Sequence, residues 1–231
     1  AHFPYNPAMN SSTLYSRRRT SKVLSKSPLT GTLNRTDLDD LIDAASWAPF
    51  HYAASAEHRN LLDDNAPEPW RIHVLMREAC LDLRSWLLES GDMSKIPEML
   101  AGANALLQVT WCPNSPPAGF QFPDDTRFYP SDINLEHIAA TAAAIQNLLL
   151  CATDKGIPTY WSSGGPLRKP NVFEILGMPP DQILLGSVFL FPEDIDTRTG
   201  AQEIQVVPGK MRDKRSTGRS WCRQVRQVAR S

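Results

Sequence analysis

The sequence predicts an α+β domain in which helices surround a mostly antiparallel sheet. Two observations carry that prediction. Segments 70–76, 104–111 and 183–191 have the apolar, strand-like patterning of a sheet core. The stretches beginning at Thr36, over 78–90 and over 134–154 repeat apolar residues at helical spacing, and the order of all these elements suits helices packed on an antiparallel sheet. A chain of 231 residues, 42% hydrophobic and 21% charged, has the composition of a soluble globular protein with one large domain or two small ones.

Along the chain, residues 1–16 read as an extended arm. Thr36-Asp37-Leu38-Asp39 is a helix start, a hydroxyl cap with an acid three residues on. Leu38, Leu41, Ile42 and Ala45 give that helix one apolar face, and Pro49 stops it. Residues 52–66 are polar and acidic and predict a loop. Trp70 to Met76 alternates as a strand should, and a helix with Leu81, Leu83, Leu87 and Leu88 follows. Asn104 to Trp111 predicts a more buried strand. A long loop rich in Pro and Gly covers about 113–130, and loops of that length are usually functional or disordered. Asn134 to Asp154 is the strongest helix, with Ile138, Ala142, Ile145, Leu148, Leu149 and Ala152 in register, closed by Gly156. Pro158 to Trp161 leads into Ser162-Ser163-Gly164-Gly165, Asn171 to Met178 predicts a short helix, and Ile183 to Phe191 a central strand.

Charge narrows the function classes. The net charge is −1, so bulk charge argues for neither a nucleic-acid nor a membrane partner, and no apolar run approaches the length that inserts in a bilayer. Both ends are nevertheless basic. Residues 209–231 hold eight basic residues against Asp213 alone. Near the start, Arg17-Arg18-Arg19-Thr20-Ser21-Lys22 concentrates cations that repel one another, and guanidinium forks beside a hydroxyl suit a phosphate. Cys80, Cys112, Cys151 and Cys222 lack the spacing of a zinc or redox motif and read as buried thiols of a reducing compartment. The five histidines have no ligand spacing, so no metal site is expected. The cytoplasm is the expected compartment. An organelle matrix is the alternative, with the Ser-, Arg- and Thr-rich opening as the remnant of a transit peptide.

Four stretches together resemble the nitroreductase family of flavoproteins. Arg18-Arg19-Thr20-Ser21-Lys22-Val23-Leu24 is similar to its phosphate clamp. Ala44 to His51, with Ala48-Pro49-Phe50-His51 at its end, and then Glu68-Pro69-Trp70-Arg71, are similar to its Ala-Pro and Pro-Trp motifs. Gln146-Asn147-Leu148-Leu149-Leu150 through Trp161-Ser162-Ser163-Gly164 resembles its Gln-Asn-Leu-Leu-Leu helix and Gly-rich turn, and Ile183 to Glu193 its late strand. The likeness spans about residues 15–195, and the Ala-Pro-x-His form most resembles a compact subgroup.

The resemblance implies a nitroreductase-like fold in an intertwined homodimer that binds FMN and uses NAD(P)H as co-substrate to reduce a small conjugated acceptor. It implies domain limits of 1–15 for the arm, 16–195 for the FMN-binding domain and 196–231 for a basic extension. Arg18, Arg19, Thr20 and Lys22 would hold the phosphate. Trp161, Ser162, Ser163 and Gly164 would meet the flavin ring. Pro49, Phe50 and His51 would reach the flavin of the other subunit, and Arg71 its ribityl or pyrimidine edge. Arg215, with Arg212 and Lys214, would add a second layer at the phosphate. Trp70 is expected in the core. No catalytic acid–base group is expected, because the cofactor carries the chemistry. The chain departs from the family pattern at the insertion 52–66, at Thr20 and Lys22 in the clamp, and over 196–231. An assembly subunit that keeps this fold with little turnover is the alternative.

Overall fold

The computed structural model describes residues 11–59, 66–123, 127–198, 203–209, 214 and 221–222. A four-stranded sheet runs in the order β2 (Trp70–Met76), β3 (Ala105–Trp111), β5 (Ile183–Leu190), β4 (Thr159–Ser162), every pair antiparallel. The α+β expectation therefore holds. β3 is buried along its whole length because its two neighbours and both sheet faces are covered.

The two faces bury different cores. Leu107, Val109, Val188 and Leu190 face α2 (Arg35–Ser46) and α6 (Asp132–Asp154), whose Leu41, Ala144, Ile145 and Leu148 complete one cluster. Leu75, Leu106 and Phe189 face the opposite way, toward α4 (Arg77–Glu89) and α5 (Ile96–Gly102). This alternation is the period-2 pattern of a strand covered on both sides. α6, of 23 residues, is long and apolar enough by length and composition to cross a membrane, which corrects the expectation that no segment is. Its apolarity is explained by the α2 and sheet residues that it covers.

Several local expectations shift. α2 is capped by Asn34, not Thr36. The Asn34 side chain accepts from the Asp37 amide at 2.7 Å and donates back to the Asp37 carboxylate, a reciprocal cap that places Thr36 within the first turn. At the other end of α6, Lys155 Nζ lies 2.8 Å from Asp37 Oδ1 and 2.6 Å from Asp40 Oδ2 and fastens α6 to α2. Residues 11–17 are helical (α1, Ser11–Arg17), not extended. The rest of the expected arm lies outside the described residues.

A second sheet was not expected. β1 (Ser21–Ser25) pairs antiparallel with β6 (Ile204–Pro208), a segment of the expected extension. β1 in turn packs against α5 and β4. Cys80 and Cys112 are buried, and burial pushes their thiols up to about 12 and about 11. Cys151 is only half-buried and Cys222 is exposed, so two of the four are not the buried thiols expected.

Candidate cofactor site

The basic cluster forms the turn from α1 into β1. Arg18 is half-buried, and its guanidinium donates to Thr20 Oγ1 at 3.4 Å. Arg19 is exposed and donates to the Ser16 carbonyl at 2.6 Å. Lys22 lies on β1, opposite Val207 of β6, and its ammonium sits 5.8 Å from the centre of the Tyr160 ring. Thr20 packs so closely on Gly209 that a Cβ there would fall 2.9 Å from the Thr20 Cβ.

Tyr160 belongs to β4, two residues before Ser162. The cation–π contact sets Lys22 against β4, two residues before the Ser-Gly turn and 140 residues from it in sequence. The chain leaves β4 through Ser162-Ser163-Gly164-Gly165 into a short 3₁₀ turn, Gly165–Arg168. Gly164 has φ 101°, which only glycine adopts readily, and a Cβ on it would meet Leu184 Cδ2 at 2.7 Å. Ser162 Oγ accepts from the Gly164 amide at 3.1 Å, and Arg168 Nε donates to the Ser163 carbonyl. Burial, then the neighbouring Arg127, holds the Arg168 guanidinium below its usual range. Trp161 points to the other face of β4. Its indole lies over Gly186 of β5, so close that a Cβ there would be 1.9 Å from Nε1.

Arg71 is spent on the main chain. It is buried and donates to the carbonyls of Glu68 and Trp70 (2.7 Å each), His58 (3.0 Å) and Ala66 (3.3 Å), which fastens the inserted loop to β2. Trp70 is in the core, as expected, with Phe50 set edge-on to it at 5.6 Å.

Pro49, Phe50 and His51 are not with the clamp. They line a separate cavity of about 380 Å3 with Glu136, Ala139, Ala140 and Ala143 of α6, and His51 Nδ1 lies 3.2 Å from Glu136 Oε2. Arg215 lies outside the described residues. Among the described residues no three His, Cys, Asp or Glu are grouped to hold a metal ion.

A polar row crosses the sheet that the sequence reading missed. His73, Gln108, Ser187 and Ser162 stand side by side on β2, β3, β5 and β4. Ser187 Oγ donates to Gln108 Oε1 and would be 3.4 Å from a Cβ on Gly164, so the row runs under the glycine turn. One residue pair further along, Gln182 Oε1 accepts from Thr110 at 2.6 Å and lies 2.9 Å from His73 Nε2. Burial pulls the His73 imidazole below its usual value, against the Gln182 bond. The available signal was Arg71 and His73 in β2 and Gln108 and Thr110 in β3, polar residues at alternate positions of strands otherwise apolar.

A sequence model of the nitroreductase family matches residues 15–190. The chain belongs to the nitroreductase family. The fold agrees. This family member superposes on a nitroreductase-like family protein from Bacillus cereus with a TM-score of 0.53 at 20% identity, over 83% of this chain and 88% of that one. For a Desulfovibrio desulfuricans protein described as a nitroreductase in complex with FMN, the TM-score is 0.51 at 16% identity, over 80% and 86%. For a Clostridium acetobutylicum protein described as an NADH oxidase, it is 0.50 at 18%, over 77% and 86%. Among curated proteins, no sequence matches the chain.

Proposed function

We propose that this chain is an FMN-dependent oxidoreductase, working as a homodimer, that takes hydride from NADH or NADPH and reduces a nitroaromatic, quinone or similar conjugated acceptor. The observation that carries this reading is Lys22 seated on Tyr160, which sets the basic turn beside the strand that leads into the Ser-Gly turn. Family membership supports it, as do an FMN complex and an NADH oxidase among its structural relatives.

The residues fit the cofactor. Arg18, Arg19 and Lys22 supply cations, and Thr20 a hydroxyl, for a phosphate that would otherwise leave them repelling one another. Gly164, at φ 101° and packed on Leu184, lets the turn bend tightly against β5 as only glycine can. When bound, FMN supplies the hydride chemistry. The chain's part is to hold and tune it: amides of the turn other than that of Gly164, which bonds Ser162 Oγ, would offer donors to the ring's polar edge, and donors there favour a reduced, negatively charged ring. The Arg168 bond to Ser163 and the Ser187–Gln108 pair beneath hold that turn in place.

The cavity of Pro49, Phe50 and His51 includes no clamp residue, and Trp47, Tyr52 and Leu135 beside it in sequence are exposed. An apolar surface of this kind suits a second copy, which would bring that cavity to the partner's flavin. Purified protein is expected to be yellow, bleached by NAD(P)H under anaerobic titration, and dimeric by light scattering. Lys22→Ala should weaken FMN binding about tenfold, the scale of one charge-assisted hydrogen bond. Protein that stays colourless with added FMN overturns the reading.

A further inference from the structure

The structure joins two long segments, the insertion after His51 and the loop after β3. α3 (Ala56–Arg59), in the insertion, packs against the loop beginning at Pro113. The loop is folded back on itself. Asn134 Oδ1 accepts from the Asn114 amide at 2.8 Å, while its Nδ2 donates to the Asn114 carbonyl at 3.2 Å and the Tyr129 carbonyl at 2.8 Å. Edge-on ring contacts, Trp111 with Phe128 and Phe120 with both Phe122 and Tyr129, stiffen it further. Between the two segments and the entry to β5 is a cavity of about 240 Å3. That exceeds the roughly 150 Å3 that admits benzene in an apolar protein cavity.

The walls are aromatic, from Phe122, Phe128 and Tyr129. The polar lining includes the acceptors of Glu57, Asn114 and Asp181. Ser115 Oγ bonds Glu57 Oε1 at 3.0 Å and leaves carboxylate capacity over. Asn114 Oδ1 is buried with no partner. His58 is 2% exposed, and its Nε2 lies 2.9 Å from the Pro113 carbonyl, which can only accept, so Nε2 carries the proton. Its Nδ1 lies 3.4 Å from Asp181 Oδ2. A donor brought by a ligand would serve the unpartnered Asn114 Oδ1 and the Asp181 and Glu57 carboxylates that line the same cavity.

We propose that this cavity is a binding site for monocyclic aromatic molecules bearing N–H or O–H donors, such as aminophenols, with the ring between the Phe122 and Phe128 walls and a donor delivered to Asp181 and Asn114 Oδ1. Arg127, also in the lining, suits the ring's π face or a phenolic oxygen. The site needs no flavin, so its fate is separable from that of the cofactor reading.

The test is calorimetry under argon on the full purified chain with 4-aminophenol and its near-isostere 4-fluorotoluene, which lacks donors. 4-Aminophenol should bind at least tenfold more tightly, with the same affinity when FMN is saturating. Asp181→Asn and Asn114→Ala should each weaken 4-aminophenol by about three- to tenfold and leave 4-fluorotoluene unchanged, which also reports that the cavity is intact. Equal affinity for the two compounds, competition by FMN, or an undiminished affinity in both variants overturns the proposal.

Discussion

Replacing Gly186 by alanine should unseat Trp161. The added methyl would stand 1.9 Å from the indole Nε1 and 2.6 Å from Cδ1, distances no rotamer adjustment of a few tenths of an ångström relieves. β5 is held between β3 and β4 and cannot retreat, so the ring must leave. Trp161 is 38% exposed, which leaves roughly 150 Å2 of a ring of about 250 Å2 covered. At about 25 cal/mol per Å2 that cover is worth about 4 kcal/mol at most. A displaced indole keeps part of its contacts along the β4 edge, so the expected cost is about 2 kcal/mol. For a chain this size that lowers Tm by roughly 4–8 °C. The decisive comparison is a double-mutant cycle by thermal unfolding, read alongside tryptophan emission. In a Trp161→Ala background, Gly186→Ala should cost less than about 0.5 kcal/mol, because nothing remains to displace. Gly186→Ala with unchanged Tm and emission, or with the same cost in both backgrounds, would refute the argument.

Three further outcomes follow from the same geometry. The bond from Lys155 holds the Asp37 carboxyl below its usual value, so its contribution to stability is complete above about pH 4 and is lost as pH falls through the depressed folded value; Asp37→Asn should therefore lower Tm by a few degrees at pH 7, with the gap closing in acid. Arg71→Lys should cost about 2–3 kcal/mol in urea unfolding, because a single ammonium cannot replace a fork shared among four carbonyls, and an unchanged midpoint would show those bonds to be idle. Gly164→Ala should combine a folding penalty of about 1–3 kcal/mol with a loss of FMN retention on gel filtration, whereas retention at the wild-type level would move the flavin away from this turn.

The long elements were legible because their signals are local. The α6 periodicity, the alternation of β2 and the apolar run of β5 each state what the segment must bury. The family was legible for a similar reason, since its motifs are short runs of neighbouring residues. β1 and β6 were missed, as five-residue strands with mixed residues exist only through pairing with a partner some 180 residues away. The helix cap was misplaced by two residues because Asn34 and Thr36 are both good caps, and the reciprocal bond between Asn34 and Asp37 decides between them.

The amino-acid order alone determined the fold class, the family and the cations gathered before β1, because periodicity, turn chemistry and charge are properties of neighbouring residues. Only the folded chain decided that Arg71 faces its own carbonyls, that Lys22 meets Tyr160, that Gly186 exists to seat an indole, and that His58 meets Asp181. Those are contacts between residues far apart in sequence. Which donor reaches which acceptor is set by sheet register and close packing, and neither is written in any single segment.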